Sequence, residues 1–112
     1  MQLEIRRIIL FTAQLEAMTA FYRDVVGLKL VGQEEGWRDF VAGACNLALH
    51  RGKAAPGIRT PKIVFYSADV AQARAALKGR GARMGKLLEN PEFAMCDGKD
   101  PDGNAFQISS RR

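Results

Sequence analysis

The sequence holds little of what builds metal clusters or disulfide frameworks: its 112 residues include two cysteines, one histidine and one tryptophan. Cys45 and Cys96 stand apart among small and apolar neighbours, in neither a CxxC nor a Cys/His cluster. That spacing supports neither a disulfide framework nor a zinc site, so both are read as reduced thiols. No segment approaches the roughly 20 apolar residues that cross a bilayer, and the opening MQLEIRRIILFTAQ has no apolar run long enough for a signal segment. A soluble, cytoplasmic protein without membrane contact is expected. The formal charge of +5 comes from basic residues scattered from Arg6 to Arg112, without a run or a helical stripe, so nucleic acid is not an expected partner. A chain of this length suits one compact domain that folds without staples.

What the sequence does contain is a repeat. RIILFTAQLEAMTAFYRD, from Arg7, aligns without a gap with KIVFYSADVAQARAALKG, from Lys62. Each copy reads as a strand followed by a helix. Ile8 to Phe11 form a β-rich run, after which Leu15, Met18, Phe21, Tyr22 and Val25 recur at helical spacing; Ile63 to Tyr66 and then Val70, Ala73, Ala76 and Leu77 repeat the pattern, closing at Gly79 and Gly81. Turn-punctuated segments follow each helix and read as strands: LKLVGQ, WRDFVAG and NLALHRG, then RMGKLLE, EFAMCD and NAFQISS. Each half is therefore βαβββ. The fold class is α+β, with module one at about 5–52, a linker at 53–60 containing Pro56 and Gly57, and module two at about 61–110.

Each module has one sheet face to cover with its helix and one left over. Two modules side by side can build one curved mixed sheet whose uncovered faces line a cleft. Strand alternation assigns the faces. Ile8, Leu10, Leu47 and Leu49 go under the first helix, leaving Arg7, Ile9, Phe11, Asn46, Ala48 and His50 on the other face. In module two Ile63, Phe65, Phe106 and Ile108 go inward, leaving Lys62, Val64, Tyr66, Ala105, Gln107 and Ser109. Trp37, opening a polar strand, is expected to wall the same hollow.

Two stretches, FYRDVVGLKLV at Phe21 to Val31 and DPDGNAFQI at Asp100 to Ile108, resemble the signature regions of the glyoxalase, bleomycin-resistance and extradiol-dioxygenase (vicinal oxygen chelate) superfamily, over nearly the whole chain. The resemblance implies paired βαβββ modules and a homodimer. It also implies metal ligands near the start of each module's first strand and on each module's last strand. Carried onto this sequence, those positions fall on Arg7, near Ala48, on Lys62 and on Gln107. A guanidinium and an ammonium have no lone pair to give, a methyl offers nothing, and a carboxamide replaces a carboxylate poorly. Neither metal nor other cofactor is therefore expected.

The substituted cleft suggests a small-molecule site. Arg7 and Lys62 would hold a small anion, with Ile9, Phe11, Trp37, Val64 and Tyr66 walling a flat or apolar body and Asn46 and Gln107 orienting it. Against this, the two cations can snorkel to solvent or pair with carboxylates such as Asp39 or Glu92. His50 reads either as a hydrogen-bonding surface residue or as a ligand-binding or proton-transfer group. The alternative to a binding protein is a metal-dependent lyase or thiol transferase of the lactoylglutathione lyase type.

Overall fold

The computed structural model describes residues 1–55 and 61–112. Pro56 and Gly57 of the expected linker lie outside the described residues. The chain divides into two compact units, Met1–Ala55 and Pro56–Arg112.

In the first unit, β1 (Arg7–Thr12) leads into α1 (Leu15–Ala20), which widens into a π-helical turn over Phe21–Val26. The expected helix is there, but its last part is not α-helical. Gly27 ends it at a φ of 89°, and the amides of Gly27 and Leu28 both donate to the Tyr22 carbonyl. Only a residue without Cβ adopts that left-handed backbone freely. Three antiparallel strands follow: β2 (Lys29–Glu34), β3 (Trp37–Ala42) and β4 (Cys45–Arg51). The sheet order is β1-β4-β3-β2, with β1 parallel to β4. Leu15, Met18, Phe21 and Tyr22 from the helical segment bury against Phe40, Leu47 and Leu49, and Tyr22 meets Phe40 at a ring separation of 6.4 Å. Ile8 is an exception to the expected helix cover, since 42% of it remains exposed near the start of the marginal strand β1.

The second unit repeats the plan. β5 (Ile63–Tyr66) precedes α2 (Val70–Gly79), whose first turn is capped by Asp69 accepting from the Gln72 amide at 3.0 Å. β8 (Ala94–Lys99) and β9 (Ala105–Ser109) form its centre, with β9 parallel to β5. The core holds Val70, Leu77, Cys96, Phe106 and Ile108. The expected strand RMGKLLE is split into β6 (Arg83–Met84) and β7 (Leu88–Glu89), both pairing with β8. From the Met84–Gly98 pair to the Leu88–Met95 pair, the β6–β7 side advances four residues while β8 advances three. That one-residue excess is a β-bulge. Among the described residues, the strand ladders close within each unit, giving two mixed sheets.

The DPDGN turn between β8 and β9 is organised by a buried carboxylate. Asp100 Oδ1 accepts from the amides of Asp102 and Asn104, both at 2.9 Å, and Oδ2 accepts from Asn104 Nδ2 at 2.8 Å. Gly103 takes the positive φ, 88°, that completes the turn. The motif thus sets the register with which β9 returns along β8 and presents Gln107. No helix among the described residues is long and apolar enough to cross a membrane.

Candidate functional site

In the first unit, ladder register stacks the residues opposite the helix into three cross-strand rows. One row is Phe11, His50 and Trp37; the next is Ile9, Ala48 and Asp39; the third is Arg7, Asn46 and Val41. The face assignment made from alternation therefore holds for β1 and β4, and Trp37 of β3 joins them on that face. His50 lies between two aromatic rings, 5.4 Å from Phe11 and 5.9 Å from Trp37, centroid to centroid. Its Nδ1 is 2.9 Å from the Arg51 carbonyl oxygen. A carbonyl only accepts, so Nδ1 carries the hydrogen and the neutral ring keeps its lone pair on Nε2. Phe11 and Ile9 leave 54% and 43% of their surface exposed, an apolar sheet face beside a hydrogen-bond acceptor.

Arg7 is not free. Its Nη2 donates to Asp39 Oδ2 at 3.1 Å and its Nε to Oδ1 at 3.4 Å, while the guanidinium carbon lies 5.7 Å from the centre of the Trp37 ring. Asn46 Nδ2 adds a further bond to Asp39 Oδ1 at 3.3 Å. Starting in the third row and reaching the first, the Arg7 side chain crosses the middle row. Ala48, in that row, is fully buried. The expectation that Ala48 is a ligand-binding residue on this face is thereby corrected: fully buried, its methyl is shorter than the side chains that cross its row and offers a ligand no surface.

The second unit carries the counterpart. Lys62 Nζ donates to Asp97 Oδ1 at 3.1 Å, and Gln107 Nε2 donates to the same oxygen at 3.0 Å. The partners stand 32 residues apart in the first unit and 35 in the second. Strand register, which pairs Asp39 with Ala48 and Asp97 with Gln107, preserves the arrangement across that length difference. Partial burial pushes the Asp97 carboxyl up, but the hydrogen bonds from Gln107 and Lys62 and the charges of Lys62 and Lys99 together outweigh it, holding Asp97 below the usual carboxylate range. Val64 and Tyr66 are half exposed on the same face as Gln107, and Arg112 lies over the Tyr66 ring at 4.5 Å. Ser109 shares that face but is buried.

Of the two readings of Arg7 and Lys62, anion holders or ion-paired cations, the structure has both cations ion-paired. The partners are Asp39 and Asp97, not Glu92. Asp97 was not singled out in the sequence. The available signal was one aspartate in each of two corresponding strands, WRDFVAG and EFAMCD, which register places on the face that also carries the cation.

A glycine lies opposite each of these aspartates. Gly32 pairs with Asp39 at an irregular step in β2, and a Cβ built there would meet the Asp39 Cβ at 3.1 Å. Gly85 donates its amide to the Asp97 carbonyl at 2.7 Å, where the β6–β7 bulge begins. That bulge flanks a hollow of about 230 Å³ lined by Gly85, Lys86, Leu88, Met95, Cys96 and Asp97.

The donor chemistry does not fit the metal that the resemblance implies. At the carried-over positions stand Arg7, Ala48, Lys62 and Gln107, with both cations already held by carboxylates. Among the described residues, no three His, Cys, Asp or Glu side chains gather as a metal-binding group. In each unit, a divalent ion at these positions would need to displace the cation from its aspartate.

The model of the Glyoxalase/Bleomycin resistance protein/Dioxygenase superfamily matches residues 4–108. No curated protein matches the chain. Among solved structures, the chain is similar to TnmS3, an antibiotic binding protein from Streptomyces sp. CB03234, with 21% identity, a TM-score of 0.83 and 96% and 94% of the two chains covered. It is similar to a glyoxalase/bleomycin resistance protein/dioxygenase from Nocardioides, with 21% identity, a TM-score of 0.83 and coverage of 97% and 83%. It is also similar to lactoylglutathione lyase from Agrobacterium tumefaciens, with 22% identity, a TM-score of 0.77 and coverage of 95% and 92%. At these identities the likenesses establish the fold.

Proposed function

Since the chain belongs to the glyoxalase/bleomycin resistance protein/dioxygenase superfamily, we propose that it binds a small, partly aromatic molecule through protein side chains rather than through a metal. The observation that carries this reading is the row Phe11–His50–Trp37, three rings side by side on one sheet face, with exposed apolar surface at Phe11 and Ile9. Aromatic pairs contribute about 0.5–1.5 kcal/mol beyond the area they bury. His50 Nε2 supplies an acceptor for a ligand hydroxyl or N–H. The name of TnmS3, a fold relative that is an antibiotic binding protein, supports a binding role in the same architecture.

The ligand favoured by this geometry is neutral. Arg7 is satisfied by Asp39 and Lys62 by Asp97, so an anion gains little without breaking an ion pair. The lyase reading, suggested by the fold relative from Agrobacterium tumefaciens, lacks a donor set at the four positions to which metal ligands carry over. The reading takes the protein to be a cytoplasmic homodimer; a monomer in light scattering at micromolar concentration counts against the dimer.

The single tryptophan, Trp37, makes the test direct. Titration with 1-naphthol quenches its fluorescence, and Phe11→Ala or His50→Ala weakens that binding by roughly two- to tenfold, in line with the loss of one aromatic or hydrogen-bonding partner. Equal affinity across wild type and both variants overturns the reading. Titration with 1-naphthoate is the anion arm: binding tighter than that of 1-naphthol, and lost in the Arg7→Ala, Lys62→Ala double variant, would return the site to the anionic class.

A further inference from the structure

We propose that the hollow beside the β6–β7 bulge, built within the second unit alone, is a further binding site, which takes a compact ring bearing one hydrogen-bond donor, a phenol being the simplest case.

Three observations carry this. The first is construction. Between Met84–Gly98 and Leu88–Met95 the extra residue interrupts the ladder, and the hollow lies against this interruption, walled by Leu88 from β7 and Met95 from β8. Bulges re-aim side chains and concentrate beside functional sites. Gly85 stays close to β8 here: a Cβ on it would touch the Asp97 carbonyl oxygen at 3.4 Å.

The second is size and lining. At about 230 Å³ the hollow lies below the roughly 300–1,000 Å³ of drug-sized pockets, so it suits a single ring rather than an extended ligand. Leu88, half exposed, and Met95 give an aliphatic and a thioether surface, and thioether sulfur packs well against aromatic rings.

The third is an open acceptor. Asp97 lines the hollow, and its Oδ1 is taken by both Lys62 and Gln107. Its Oδ2 has no hydrogen-bond partner among the described residues, and the side chain is 55% exposed. The corresponding carboxylate of the first unit differs, because Arg7 and Asn46 use both oxygens of Asp39. The second unit therefore keeps a carboxylate anchored through Oδ1 whose Oδ2 is open to a donor from solvent or ligand, and its charge repels an anionic ring. Lys62 and Gln107 anchor the carboxylate, so little side-chain ordering is lost on binding.

Three probes separate the components: 4-methylphenol has ring and donor, toluene has the ring alone, and 4-methylbenzoate replaces the donor with a negative charge. In ¹H–¹⁵N spectra of the intact chain, 4-methylphenol is expected to shift the amides of Gly85 to Leu88 and Met95 to Asp97. It should bind about tenfold or more tighter than toluene, the effect of one hydrogen bond to a charged acceptor, and 4-methylbenzoate should be the weakest. Asp97→Asn removes most of the preference for the phenol while toluene binding stays. Met95→Trp fills the hollow and removes all three responses, with the amides of β5 and α2 reporting that the second unit is still folded. Equal binding of phenol and toluene, shifts confined to other residues, or no response to any probe overturns the proposal. Trp37→Phe keeps these responses, so failure of the aromatic row and failure of the hollow are separate results.

Discussion

Arg7 and Asp39 are joined by two hydrogen bonds, Nη2 to Oδ2 at 3.1 Å and Nε to Oδ1 at 3.4 Å, with the carboxylate side chain only 13% exposed. Lys62 and Asp97 make the corresponding pair through one hydrogen bond, with the carboxylate 55% exposed. Exposed pairs contribute about 0–1 kcal/mol, whereas removing a partner from a part-buried, charge-assisted bond costs about 1–3 kcal/mol. Asp39→Asn is therefore expected to destabilise the protein more than Asp97→Asn in urea unfolding at neutral pH. The reverse order would show that the second pair carries more than its exposure allows.

Acid acts on Asp97 in a definite direction. Its folded carboxyl titrates below the usual range because Gln107, Lys62 and Lys99 outweigh partial burial. A group depressed on folding adds stability that is complete above its unfolded value, about 3.9, and is lost as pH falls through the folded one. Wild type and Asp97→Asn should thus differ in unfolding free energy at pH 7 and converge as the medium is acidified below about pH 4. Parallel acid profiles for the two proteins would contradict this assignment.

Asp100 is 1% exposed and accepts hydrogen bonds from the Asp102 and Asn104 amides and from Asn104 Nδ2. Asp100→Ala leaves those donors without their acceptor and should cost about 2–4 kcal/mol, with each orphaned donor contributing part. Asp100→Asn retains one carbonyl oxygen for the amides and should cost less. Thermal unfolding distinguishes the two; an alanine variant as stable as the asparagine one would mean that the turn holds without this carboxylate.

Gly98 in β8 has no room for a side chain. A Cβ there would stand 2.5 Å from Phe106 Cζ and 2.7 Å from Met84 Sδ. Gly98→Ala should destabilise by about 1–3 kcal/mol, the range for overpacking a filled core. Gly98→Ala combined with Phe106→Leu should recover part of that loss in the same unfolding assay. Absence of recovery would place the strain in the backbone rather than against the ring.

The repeat was legible because its two copies share both periods: a short apolar run, then apolar residues three and four apart. The same alternation put Ile9, Phe11, His50 and Gln107 on the correct faces, since a strand residue has only two sides to choose from. Chemistry across strands was less legible. The bond between Lys62 and Asp97 depends on which residue of β8 lies beside Gln107, and that register comes from a turn closed by Asp100, which alternation does not encode. Ala48 shows the same limit. Its face was readable, but its burial depends on neighbouring side chains that cross its row. The π-helical turn over Phe21–Val26 was also unreadable from spacing, because Phe21 and Tyr22 fit an ordinary helical stripe equally well.

Within its sheet, β2 is the outermost strand opposite β1, and its pairing steps irregularly between Leu30 and Gly32. Its outward amides and carbonyls consequently do not form an even row, and Lys29 and Glu34 place opposite charges at its two ends. Such a margin is a poor template for a strand from a neighbouring molecule. Concentrating the protein should leave this border unrecruited into fibrils, and restoring regularity by deleting Val31 would remove that safeguard.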